Sequence, residues 1–151
     1  NNSQNFAATL KQKLADQGVV ILPIIEAAKD ARFEEKIHKT LKQNEENPAF
    51  LFLLATFTSG YFTYVPAGTC AEMPIQSSCL FNKPNIDQSS ISMVFLDEGA
   101  ELNYIEHCSA IENEGSNQHY SLLDIFVSKN AKEDELIAAL DRIRRNACRF
   151  S

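Results

Sequence analysis

Four cysteines (Cys70, Cys79, Cys108 and Cys148) and three histidines (His38, His107 and His119) are the side chains of this 151-residue sequence best suited to chemistry. An even cysteine count with no CxxC pair fits two disulfides better than a zinc knuckle, whose ligands come in close pairs. The pairing expected is Cys70–Cys79, cinching a turn-rich stretch, and Cys108–Cys148, tying a strand end to a C-terminal helix. In the loop-entropy description these bridges contribute about 2.7 and about 3.9 kcal/mol. Such bonds persist only in an oxidising compartment, so the sequence reads as secreted or periplasmic, its signal peptide removed.

His107 and His119 flank one polar loop, and with Glu106 they could supply the acid and base of a small hydrolase. Their spacing matches no HExxH, and the sequence has no GxSxG elbow, GxGxxG turn or P-loop. His107 cannot serve Cys108 as a base, because adjacent residues on a strand take opposite faces. No catalytic set converges, and neither a metal site nor a cofactor is indicated. His38 lies on a charged helix and reads as surface.

The charge pattern says more. With 14 Lys and Arg against 20 Asp and Glu, the chain carries a net charge of −6, which argues against a nucleic-acid binder. Yet Lys29, Arg32, Lys36 and Lys39 fall on one stripe of a helical segment, and Arg142, Arg145 and Arg149 on another. Side by side, the two stripes would make a basic patch for an anionic lipid headgroup, a sulfated glycan or an acidic protein. The competing account is ordinary helix chemistry, with basic residues complementing a helix dipole and Glu35–Lys39 and Asp141–Arg145 as i,i+4 pairs.

These residues need elements to position them. Phe6, Leu10 and Leu14 predict a helix over 4–17, stopped by Gly18. A short strand over 19–22 and a helix over 24–43, striped by Phe33, Ile37 and Leu41, follow. The apolar segment 49–57 fits a buried strand or a buried helix equally well. Tyr61 to Val65 reads as a strand in a hairpin about Ser59-Gly60, and 66–90 as a long loop pinned by its cysteines. Strands over 91–96 and 101–107 flank the turn 97–100, a further strand covers 120–127, and a final helix covers 131–147. No internal repeat and no linker are evident, and no apolar run reaches the ~18–20 residues that span a bilayer.

The sum is a single domain over 1–151 of α+β class. A mostly antiparallel sheet of four to five strands packs against two or three helices in two layers. The function expected is an exported, disulfide-stabilised, non-catalytic binding module, such as a host-interaction factor engaging a protein or an anionic ligand. The hydrolase is the alternative. An accessory subunit packing its 49–57 segment on a partner is a third reading.

Overall fold

The computed structural model describes residues 12–71, 74–81, 87–110 and 118–131. Residues 12–16 are helical and end at Gly18, where a φ of +78° suits glycine at a helix C-terminus. The chain continues as β1 (Val20–Pro23), α1 (Ile24–Ala27), α2 (Glu34–Gln43), α3 (Pro48–Thr56), β2 (Tyr61–Val65), β3 (Ile75–Phe81), β4 (Asp87–Leu96), β5 (Tyr104–Ala110) and β6 (Gln118–Val127).

Local chemistry explains the helix boundaries. The single helix expected over 24–43 is divided because the Asp30 carboxylate accepts the Arg32 backbone N–H at 3.0 Å, an Asx turn that competes with helical bonding. The ambiguous segment 49–57 becomes helix because of the two residues before it. Asn47 Oδ1 accepts from Ala49 N at 3.0 Å and Phe50 N at 3.3 Å, and Pro48 stands at the first helical position with its φ preset. α3 buries Phe50 and Leu53 while Leu51, Phe52 and Leu54 stay exposed.

A four-stranded sheet in the order β1-β2-β4-β6 forms the centre, and β3 and β5 make a second, two-stranded sheet. One face of the central sheet carries Phe62, Ile91, Met93 and Phe95, which pack with Ile24, Ala27, Phe33 and Ile37 of the helical layer and with Leu53 of α3. The other carries Val65, Val94 and Leu96, which pack with Ile75 of β3 and Tyr104 of β5. The α+β architecture expected from the sequence, helices layered on a sheet, is present. The strand pairing differs from expectation. Only β1–β2 is antiparallel, while β2–β4, β4–β6 and β3–β5 are parallel.

The parallel register has a period. Phe62 pairs with Met93 and Met93 with Asp124, a step of 31 residues each time, and Ile75 pairs with Tyr104 after 29. The chain passes from the central sheet through a turn to the second sheet and back, rising by one strand per circuit. The repeat that the sequence hid therefore lies in the turns. Left-handed residues recur at Gly68 (φ +67°), Gly99 (φ +69°) and Asn130 (φ +63°), 31 residues apart. Backbone bonds run from turn to turn, with Asp97 N donating to Val65 O, Ser128 N to Leu96 O, Gly68 N to Glu98 O and Gly99 N to Lys129 O. Stacking of this kind extends into the segment expected to be a loop over 66–90, where Glu101 N donates to Thr69 O and Ala71 N to Glu101 O before β3 begins. No hairpin forms about Ser59-Gly60, because Ser59 instead bridges in parallel to Ser90. The helix expected over 131–147 and the first residues of the helix over 4–17 lie outside the described residues.

Gly60 and Gly68 make contrasting demands. A Cβ on Gly60 would sit 1.8 Å from the Ile91 carbonyl oxygen, whereas one on Gly68 meets nothing within 4 Å. Gly68→Ala therefore carries only the left-handed backbone penalty of about 1–2 kcal/mol. Gly60→Ala must also part β2 from β4, and its loss in a denaturant titration is expected to be clearly the larger. Equal losses would contradict this account of the β2–β4 contact.

Candidate functional site

The interior between the two sheets is where their chemistry changes along the strands. Near the turns it is lined by Val65, Val94, Leu96, Ile75 and Tyr104. One pleat further along the central sheet the same face carries Thr63 and Ser92, only 2% and 4% exposed. In the second sheet the residues after Ile75 and Tyr104 pair in parallel. There the backbone register sets Ser77 beside Glu106, Ser78 beside His107 and Cys79 beside Cys108.

Cys79 and Cys108 are thus strand neighbours, a pairing that the expected connectivity did not contain. Cys70 is a free, exposed thiol, its Sγ 3.8 Å from Glu101 Oε2 in the turn stack. The Cys70–Cys79 disulfide is accordingly overturned: Cys70 pairs in the turn ladder with Glu101, whereas Cys79 lies in β3 against Cys108. Cys148 lies outside the described residues, so the Cys108–Cys148 bridge finds no counterpart among them.

The two loop-flanking histidines lie on strands of different sheets. His107 is on β5 and His119 on β6, His119 being paired with Gln88 of β4. Burial lowers the His119 pKa, favouring its neutral form. Glu106 and His107 are adjacent residues of β5.

The basic stripe is divided as well. Lys29 lies in the turn after α1, outside α2. Arg32 clamps Asp30, with Nε 3.0 Å from Oδ1 and Nη2 2.6 Å from Oδ2, and this bonding holds the Asp30 carboxyl below its usual range. Lys36 turns inward to Asp97 Oδ1 at 2.9 Å, and Lys39 stays exposed. Arg142, Arg145 and Arg149 lie outside the described residues.

The Lys36 contact is part of a node that pattern reading did not find. Asp97, in the turn after β4, accepts from Lys36 Nζ on one oxygen and from the Tyr64 hydroxyl at 2.6 Å on the other. The Lys36 ammonium also lies 5.3 Å from the Tyr64 ring centroid and 5.7 Å from that of Phe95. The bond to Asp97, with burial and the adjacent negative charge, pushes the Tyr64 phenol up to about 12. Burial works to raise the Asp97 carboxyl, but the bonds from Tyr64 and Lys36 outweigh it and hold the group below its usual range. One carboxylate thereby fixes a helix, a strand and a turn to one another. A lysine among aromatic positions 61 residues upstream of an aspartate gave no local signal of this.

Comparison with known proteins decides between the readings. No protein-family model matches the chain. Over 135 residues, 87% of its length, it is 27% identical to the iron-sulfur cluster assembly SufBD family protein ABCI9 of Arabidopsis thaliana, covering 28% of that protein. It is 30% identical over 122 residues to the iron-sulfur cluster assembly protein SufB of Bacillus subtilis, covering 80% of this chain and 26% of the relative. A SufBD family protein of Synechocystis, slr0074, is 24% identical over 131 residues. The similarity is to iron-sulfur cluster assembly proteins. The chain spans about a quarter of the length of the curated relatives it matches.

This overturns the exported binding module. Its relatives are named for iron-sulfur cluster assembly, and the free Cys70 removes one of the two disulfides on which export was argued. The secreted or periplasmic location, the host-interaction role and the anionic lipid or glycan ligand fall with it. The small-hydrolase alternative falls too, since the relatives are named for iron-sulfur cluster assembly. No helix among the described residues is long and apolar enough to cross a membrane, as expected.

The Asp97 node has a pH signature. Tyr64 holds its proton more tightly in the folded chain, so its contribution to stability is complete below pH 10 and drains as pH rises towards about 12. Asp97 contributes in the opposite sense, its share being present above the ordinary carboxylate range and lost as pH falls through its lowered folded value. In Asp97→Asn, tyrosinate absorbance is expected to show one phenol returning towards 10, and the alkaline slope of stability should flatten. A Tyr64 titration unmoved by the substitution would refute the node.

Proposed function

We propose that this chain acts in iron-sulfur cluster assembly, contributing a coiled β scaffold to that work, with other assembly proteins as its partners. The observation that carries the reading is the similarity over four-fifths or more of the chain to assembly proteins from a plant and bacteria. The chemistry of the residues is consistent with it. Thiolates are the usual ligands of iron-sulfur clusters, and free cysteines are what such work requires. Here Cys70 is a free thiol, and two further cysteines are neighbours across β3 and β5. The fold adds rigidity, since parallel strands locked through stacked turns hold residues of successive coils at fixed spacing.

The test is depletion of the chain in its own cells under anaerobic growth. Enzymes that depend on iron-sulfur clusters are expected to lose activity several-fold, while their polypeptide levels and the activities of metal-free enzymes hold. Retention of full activity by the cluster enzymes, with depletion verified by immunoblot, would overturn the proposal.

A further inference from the structure

α3 is a surface helix with the composition of a buried one. Its residues, Pro48 to Thr56, include no charged side chain. A helix that is apolar on every side normally lies inside a protein. Here only Phe50 and Leu53 are buried. At 3.6 residues per turn, Leu54, Leu51, Ala55, Pro48 and Phe52 follow one another over an arc of about 160°. All five are exposed. The apolar surface continues on both flanks of that arc. Phe52 meets the exposed Tyr120 of β6 edge-on, with ring centroids 5.7 Å apart. On the other flank a groove of about 700 Å³ runs between α2 and α3, its apolar lining including Leu41, Leu51 and Leu54.

Area sizes what can cover this face. Leu51, Phe52, Leu54 and Tyr120 are 46%, 51%, 38% and 41% exposed, which leaves roughly 350 Å² of their surface open for side chains of about 150–250 Å² each. Interfaces are about 56–65% non-polar, so a contact built on this core covers about 600 Å² of each partner. A total of about 1,200 Å² clears the ~1,000 Å² of a specific contact and falls short of the ~1,600 Å² of a standard one. That is the size of a weak, reversible association.

Charge selects the partner. Two carboxylates, Glu35 and Glu45, and two ammonium groups, Lys39 and Lys42, line the groove, so it favours neither a strongly acidic nor a strongly basic surface. Along α2 the charges are ordered, with Glu34 and Glu35 in the first turn and Lys42 in the last. Glu35 and Lys42 lie about 10 Å apart along one line of the helix. Among the described residues no ion pair engages either of them. Across a two-fold axis at right angles to the helix, α2 meets its own copy antiparallel, and Glu35 of each copy comes beside Lys42 of the other. Isologous pairing thus forms both ion pairs from one sequence and brings the apolar arc of α3 against its counterpart.

We propose that the exposed α2–α3 face is a self-association surface, through which two copies of this chain form a reversible, two-fold symmetric dimer. The inference rests on the helical layer and not on the assembly role.

The experiment is sedimentation equilibrium of the full chain in reductant, from low to high micromolar concentration. The chain is expected to pass from monomer to dimer. Leu51→Glu, which sets a charge in the apolar arc, is expected to raise the dissociation constant by more than about tenfold. Glu35→Lys and Lys42→Glu each create two like-charge contacts by symmetry and are each expected to weaken the dimer roughly tenfold, whereas the two together should restore it to within about twofold. These three positions are exposed, and unchanged circular dichroism separates lost association from lost folding. The proposal is overturned by a chain that stays monomeric throughout, which would mean that something other than a second copy covers the face. It is overturned equally by a dimer indifferent to Leu51→Glu, which would place the contact elsewhere, or by a double substitution no tighter than either single one. Each of these outcomes leaves the depletion result, and the assembly role it tests, unaffected.

Discussion

Everything in this chain hangs on the repeated backbone ladder between successive turns. Val65, Leu96 and Val127 each end a strand of the central sheet, and the residue after each of the last two donates its N–H to the carbonyl of the strand end one coil before. Positive φ at Gly68, Gly99 and Asn130 reverses the path at the same point of each circuit. If one turn were a residue longer, the alternation of faces would invert in the strand that follows, and the apolar residues of the interior would change sides. The turns therefore set the register, and the register sets which side chains meet.

The helical layer depends on the same constraint. Phe95 and Phe126 are register partners on neighbouring strands and stack with centroids 4.5 Å apart, and Phe62, two residues out of register with Phe95, extends the row at 5.4 Å. Phe33 joins this row at 4.6 Å from Phe62. Lys36 covers part of the same surface and hands its charge to Asp97 in a turn. The aromatic row thus gives the helices something flat to lie on, and the ion pair fixes them there.

Much of this was legible in the residues and some was not. Tyr61 to Val65, Ile91 to Leu96 and Tyr120 to Val127 declared themselves as strands through β-branched and aromatic content, and all three are strands. β3 did not, because Gln76, Ser77 and Ser78 lack the apolar alternation that marks a half-buried strand. Parallel pairing was invisible for a related reason. The repeat resides in backbone conformation, and Pro66-Ala67-Gly68, Asp97-Glu98-Gly99 and Ser128-Lys129-Asn130 share little beyond a third residue that tolerates a left-handed φ. Without the period, the cysteines were paired by convenience along the sequence, and Cys79 and Cys108 could not be seen as neighbours. The basic stripe was drawn on a continuous helix that Asp30 interrupts.

Stacked coils also distribute stability unevenly. Each circuit touches only the ones beside it, so cohesion is a sum of contacts between nearest neighbours and not a property of one undivided core. β4, held between β2 and β6, is almost wholly buried from Ile91 to Leu96, whereas β6, whose one strand partner among the described residues is β4, is half-exposed over the matching stretch. A disturbance at one coil therefore loses most of its reach within the next. Damage at the β6 edge costs the aromatic row its Phe126 end but leaves Phe62, Phe95 and Phe33 in contact with one another.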